Sequence, residues 1–128
     1  MQDLQIKKSE GKGIGVFANR NFKKSETLEV APLILVPIKE FELIKKTKLY
    51  YYYFEYSNSH FAIALGYGSL YNHSYTPNAT YLYDYKNKKL IYKAIKNIRK
   101  KEEININYNY YPNDKTPLED WFKKDIDN

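Results

Sequence analysis

Apolar and polar positions along this chain change over within short distances, mostly as strand-like runs broken by turn residues. Leu4 and Ile6 predict an opening strand that ends at Ser9-Glu10-Gly11-Lys12-Gly13, and Val16-Phe17-Ala18 form the next β-like run. Thr27 to Val36 alternates into an apolar run with Pro32 inside it. A proline there predicts an edge strand or a break, because it cannot donate to a ladder. Pro37, then Phe41, Ile44 and Lys48 at helical offsets, predict one or two helical turns ending near Thr47. Leu49 to Tyr56 is almost continuously aromatic, and Phe61 to Leu65 predicts a short strand. Ala79 to Tyr85 and Leu90 to Ile95 read as a hairpin joined through Asp84-Tyr85-Lys86-Asn87-Lys88. Asn97 to Lys101 is a charged turn before Ile104 to Asn107, whose period of two puts Ile104 and Ile106 on one face. Beyond Tyr110, the residues Leu118, Trp121, Phe122 and Ile126 fit a short amphipathic helix capped by Thr116.

Short strands, few helical turns and no internal repeat predict a mainly β fold. A chain of 128 residues supports one core but not two, so residues 1–128 are expected to form a single domain with 112–128 as its tail. The N-terminus has no apolar leader and no run is long enough to span a bilayer, so an intracellular soluble protein is expected. There is no cysteine, which leaves the redox compartment open and rules out a cysteine nucleophile.

The formal net charge of +6 favours acidic partners, but only Arg20 and Arg99 among the 21 basic residues are arginines, the side chains best suited to phosphate. The fifteen tyrosines are for the most part expected to be packing residues, unless a motif places them.

One stretch is built differently. Tyr67-Gly68-Ser69-Leu70-Tyr71-Asn72-His73-Ser74-Tyr75-Thr76-Pro77-Asn78 packs polar groups, glycine and proline between two strand-like runs, and holds one of only two histidines. Neither His60 nor His73 has a Gly-x-Ser-x-Gly elbow near it, and two histidines without cysteine make a poor zinc site, so no metal site is assigned. Gly11-x-Gly13-x-Gly15 has the wrong spacing for a dinucleotide fingerprint. Glu102 and Glu103 are adjacent, point to opposite faces of a strand and form no dyad; a solvated turn is the expected role for both.

Lys12-Gly13-Ile14-Gly15-Val16-Phe17-Ala18, Asn72-His73-Ser74-Tyr75-Thr76-Pro77-Asn78-Ala79 and Glu102-Glu103-Ile104-Asn105-Ile106-Asn107-Tyr108, in that order, resemble the three signatures of the SET domain family of S-adenosylmethionine-dependent protein-lysine methyltransferases. The resemblance implies small curved β-sheets with a threaded, knot-like crossing and short helices. It implies that Lys12, Gly13, Ile14 and Gly15 cradle the methionine part of S-adenosylmethionine, and that Asn72 and the backbone of His73 hold its amino and adenine ends. The His73 imidazole is expected either to hold the crossing loop or to act directly. Tyr108 matches the family's catalytic tyrosine, and Tyr81 falls at the aromatic gate of its lysine channel, where a tyrosine implies one or two methyl groups rather than three.

The sequence also departs from the family pattern. No cysteine-rich flank is present, so the tail around Trp121 and Phe122 is the candidate to roof the adenine pocket. Tyr75 stands at a position the family fills with cysteine or a small residue, and Asn105 where it has threonine.

The implied substrate is a lysine-bearing protein, with a histone tail, and hence a nuclear location, as one candidate. A basic tail meets a basic enzyme, so Asp3, Glu10, Glu26, Glu29, Glu40, Glu42 and Glu55 would have to gather at the groove. The aromatic run 49–54 is a candidate homodimer surface. The alternative is a non-catalytic binding module for nucleic acid or an acidic protein, with the interleaved lysines and tyrosines of 81–96 as stacking platforms.

Overall fold

In a computed structural model, residues 3–118 are described. Alternation becomes pairing in strands β1 (Leu4–Ser9), β2 (Gly13–Ala18), β3 (Thr27–Pro37), β4 (Tyr53–Glu55), β5 (His60–Ala64), β6 (Asn72–His73), β7 (Ala79–Asp84), β8 (Lys89–Ala94) and β9 (Glu103–Ile106). The one α-helix among the described residues is α1 (Phe41–Ile44), a single turn between two 3-10 turns at Ile38–Glu40 and Lys48–Tyr51. This is the mainly β, curved-sheet architecture the sequence implied.

The strands form a four-stranded sheet, β1-β2-β9-β6, and a five-stranded sheet, β4-β5-β3-β8-β7. In the first, β2 pairs antiparallel with β9 through Val16 and Ile104, and β6 lies parallel to β9 with Asn72 opposite Asn105. Ile104 and Ile106 share the buried face, as their spacing predicted, and pack in one core with Leu4, Val16, Ala31, Leu90 and Tyr92.

The expectation for β3 is corrected. Its first part pairs with β8 as far as Pro32 and its second part with β5 from Leu33 onward. The strand is continuous and central, and Pro32 sits where its pairing passes from one neighbour to the other. Its missing N–H falls at that handover, while its carbonyl accepts from the N–H of Leu65 at 2.9 Å.

β4 and β7 are the two edges of the five-stranded sheet, yet they converge. The Tyr83 hydroxyl donates to the Glu55 carbonyl at 2.5 Å, the Tyr56 hydroxyl to the Tyr85 carbonyl at 3.2 Å, and the rings of Phe54 and Tyr81 meet edge-on at 5.5 Å. Sheet curvature thus closes an aromatic cleft between two edges.

The segment after β6 is held on two sides. Ser74 N–H donates to Ile106 O at 2.9 Å, and Asn78 and Asn105 exchange backbone-to-amide bonds of 3.1 and 2.9 Å. From the other side, Lys115 Nζ donates to Tyr75 O at 2.6 Å and the Tyr75 hydroxyl to Thr116 O at 3.1 Å. The two departures at Tyr75 and Asn105 are therefore both structural ties in this chain. The tail helix predicted around Trp121 and Phe122 lies outside the described residues. No helix among the described residues is long and apolar enough to cross a membrane.

Candidate active site

The hairpin of β1 and β2 turns through Gly13, whose φ of +77° is a left-handed conformation that suits glycine and strains other residues. Gly15 is demanded by space instead: a Cβ there would lie 2.4 Å from Glu103 Oε2 and 2.7 Å from Asn72 Nδ2. The backbone of β2 therefore lies directly on the Asn72–Glu103 pair.

That pair is tightly tied. Asn72 is buried, and its amide donates to Glu103 Oε2 at 2.7 Å and to the Ile14 carbonyl at 3.0 Å. Two acceptors on the same side fix which end of the amide is nitrogen. Glu103 Oε1 accepts from the hydroxyl of buried Ser9 at 2.8 Å. The solvated-turn expectation is met by Glu102, which is exposed and accepts from Arg99 N–H at 2.7 Å, and is corrected for Glu103. Alternation did separate the two faces; the sequence did not show what Glu103's face meets.

His73 Nδ1 accepts from the backbone N–H of Tyr108 at 3.0 Å. Burial, helped by the charge of Lys12, pulls its pKa down to about 4, so the ring is neutral near pH 7. Because Nδ1 accepts, the proton sits on Nε2. That buried Nε2–H has no partner among the described residues. Tyr75 packs edge-on against the ring at 4.4 Å.

Tyr108 continues the chain of contacts. Its hydroxyl donates to the Tyr71 carbonyl at 2.6 Å, and Tyr71 is anchored by its own hydroxyl on Glu29 Oε1 at 2.7 Å. Burial, with Tyr52, Tyr81 and Glu103 nearby, raises the Tyr108 pKa well above the ordinary tyrosine value. Glu29 is buried too, and desolvation raises its pKa.

Tyr108 and Tyr81 both line the aromatic cleft, which has a volume of about 1040 Å³. Tyr81 is buried between Phe54 at 5.5 Å and Tyr110 at 5.2 Å, both edge-on, and burial raises its pKa. Tyr110 takes a φ of +81°, uncommon for a bulky residue, which turns its ring into the cleft wall.

Two groups of predicted residues thus emerge. Gly13, Ile14, Gly15, Asn72 and His73 converge on the four-stranded sheet, with exposed Lys12 at the hairpin turn; Tyr81 and Tyr108 converge on the cleft. The His73–Tyr108 bond joins the two. Trp121 lies outside the described residues. Glu103, Ser9, Tyr71, Glu29 and Tyr110 were given no site role from the sequence; Glu103, inside a quoted motif, and Tyr71, inside the 67–78 stretch, carried a signal that could have found them. Tyr81 and Tyr92 are buried, so they offer no stacking platform to nucleic acid.

The family model for the SET domain matches residues 13–109. The chain is 32% identical over 106 residues to the histone-lysine N-methyltransferase, H3 lysine-37 specific, of Schizosaccharomyces pombe, covering 82% of this chain and 72% of that protein. It is also similar to the crystal structure of a Plasmodium falciparum protein described as a histone methyltransferase, with TM-score 0.72 and 35% identity over 84% of this chain and 94% of that one. The chain belongs to the SET domain family. That membership makes it a lysine methyltransferase, and it sets the binding-module alternative aside.

Proposed function

We propose that this enzyme methylates a lysine side chain in a basic protein segment such as a histone tail, with S-adenosylmethionine held on the four-stranded sheet and the acceptor lysine entering the aromatic cleft. The observation that carries this reading is the His73–Tyr108 bond, which couples the two groups of residues directly. Support for the cofactor comes from a buried Nε2–H on His73 that has no partner among the described residues and suits a ligand rich in acceptors. Support for the substrate comes from the names of the two similar proteins.

In this reading the backbone from Lys12 to Gly15, with Asn72 and His73, holds S-adenosylmethionine, which supplies an electrophilic methyl group on a sulfonium. Glu103 and Ile14 O take both amide hydrogens of Asn72, so its amide oxygen is the atom that would accept from the ligand's ammonium. Glu103 is thus a positioning residue.

The lysine amine has to be neutral to attack, and free lysine has a pKa of ~10.4. Enclosure by Tyr81 and Tyr108 lowers it, by up to ~3–5 units for full burial, whereas ring faces return only ~0.5–2 kcal/mol to the ammonium, at most ~1.5 units. Desolvation wins inside the enclosed part. Tyr108, held protonated by its raised pKa, fixes the Tyr71 carbonyl and shapes the passage rather than removing a proton. Tyr81 narrows the space around the amine and favours one or two methyl groups.

Incubation with labelled S-adenosylmethionine and each purified core histone, read by mass spectrometry, tests this. A methylated lysine is expected. Cofactor binding by calorimetry without label on any lysine would overturn the substrate assignment, and absence of cofactor heat would overturn the site.

A further inference from the structure

The cleft has an unusual electrical character for this chain. Eleven of the fifteen tyrosines line it, but among the described residues no lysine or arginine does, and Glu55 is the one carboxylate. Of the seven acidic residues that a basic tail would require at the groove, Glu55 alone lines it; Asp3 and Glu26 pair with Arg20, Glu42 with Lys45, and Glu29 is buried on Tyr71. A molecule of charge +6 thus opens a hole in its own basic surface, walled by ring faces whose quadrupoles attract cations.

Within the cleft, Tyr83 and Tyr85 stack at 5.1 Å with their planes 12° apart, and Tyr56 stands edge-on to Tyr85 at 5.1 Å. The cluster is fixed on both edges by the Tyr83–Glu55 and Tyr56–Tyr85 hydrogen bonds. Unlike buried Tyr81, Tyr85 is exposed, as is Glu55. A cation here keeps its water and its charge.

We propose that Tyr56, Tyr83 and Tyr85, with Glu55, form a subsite for a second cationic side chain of the substrate, a lysine or arginine beside the one that is methylated. This rests on the methyl-transfer reading above and narrows it to substrates with a neighbouring positive charge. The ring of Tyr83 lies 6.2 Å from Tyr81 and 5.1 Å from Tyr85, so the second cation belongs about two or three residues from the target in an extended peptide. His60, also on the cleft wall, has its Nδ1 hydrogen-bonded to the Ser59 hydroxyl at 2.8 Å.

The test uses the full chain and pairs of synthetic Gly/Ala peptides. One member of each pair carries a central lysine and a second lysine two or three residues away; the other has norleucine in that second place. Calorimetry gives the ratio of dissociation constants, and labelled S-adenosylmethionine gives the ratio of kcat/KM. A preference of about three- to tenfold for the dilysine peptide is expected. It should fall to about onefold in Tyr85→Leu and shrink in Glu55→Gln, but persist in Tyr85→Phe, which keeps the ring face. Circular dichroism melts confirm that each variant is folded. Equal binding and equal methylation of both peptides would overturn the subsite while leaving methyl transfer standing. Failure of either peptide to accept label, with the binding preference intact, would instead count against the methyl-transfer reading.

Discussion

The backbone N–H of Tyr108 donates to Nδ1 of His73 at 3.0 Å, and this bond ties the end of β9 to the strand that carries Asn72. A neutral imidazole is required, because a protonated ring has no acceptor left. Since burial holds the folded-state pKa near 4, against 6.5 unfolded, the unfolded chain binds the extra proton between these values. His73 therefore contributes its stability fully above about pH 6.5 and loses it as pH falls toward 4. Denaturant melts over that range should show a loss for the native chain that is absent in His73→Asn, whose amide oxygen can accept the same N–H. His73→Leu should cost about 1–3 kcal/mol at pH 7 by orphaning that donor.

Tyr108→Phe keeps the ring and removes the bond to the Tyr71 carbonyl. Turnover is expected to fall about tenfold or more, with the dissociation constant for S-adenosylmethionine within about twofold of the native value. Because burial raises the Tyr108 pKa, kcat should show no limb from this hydroxyl between about pH 7 and 10. A limb present in the native enzyme and missing in Tyr108→Phe would make the hydroxyl a general base after all.

At Gly15, an alanine methyl would collide with Glu103 Oε2 and Asn72 Nδ2 at 2.4 and 2.7 Å. Gly15→Ala should destabilise the fold by about 1–3 kcal/mol and weaken cofactor binding, both read from melts and calorimetry.

Glu103→Leu should weaken S-adenosylhomocysteine binding at least about fivefold by freeing the Asn72 amide to turn, while Glu103→Gln, which can still accept from it, restores most of the loss. Methylthioadenosine, which lacks the amino acid part, is the control: its affinity should not change. An equal loss for both ligands would reduce Glu103 to a merely structural residue.

Tyr81→Phe should shift products toward higher methylation, measured by intact-peptide mass spectrometry. An unchanged distribution would remove the Tyr81 hydroxyl from control of the product.

The strand boundaries were legible because period-two burial is local: Ile104 and Ile106, or Leu90 and Tyr92, declare their face to a reader of the chain alone. The role of Pro32 was not. A handover between two neighbours depends on where β5 and β8 end, and these lie far from it in sequence. Glu103 was hidden for the same reason, since Ser9 and Asn72 are 94 and 31 residues away.

By itself the sequence determined the family and the ordered motifs, because turn glycines, an amide and a terminal tyrosine are chemical requirements written in residue types. Tertiary structure alone decided that Glu103 holds Asn72, that His73 meets Tyr108, and that the tyrosines collect in a cleft where no described lysine or arginine stands. Those facts depend on the curvature that brings two sheet edges together. Curvature is a sum over many small twists, and no short stretch of sequence specifies it.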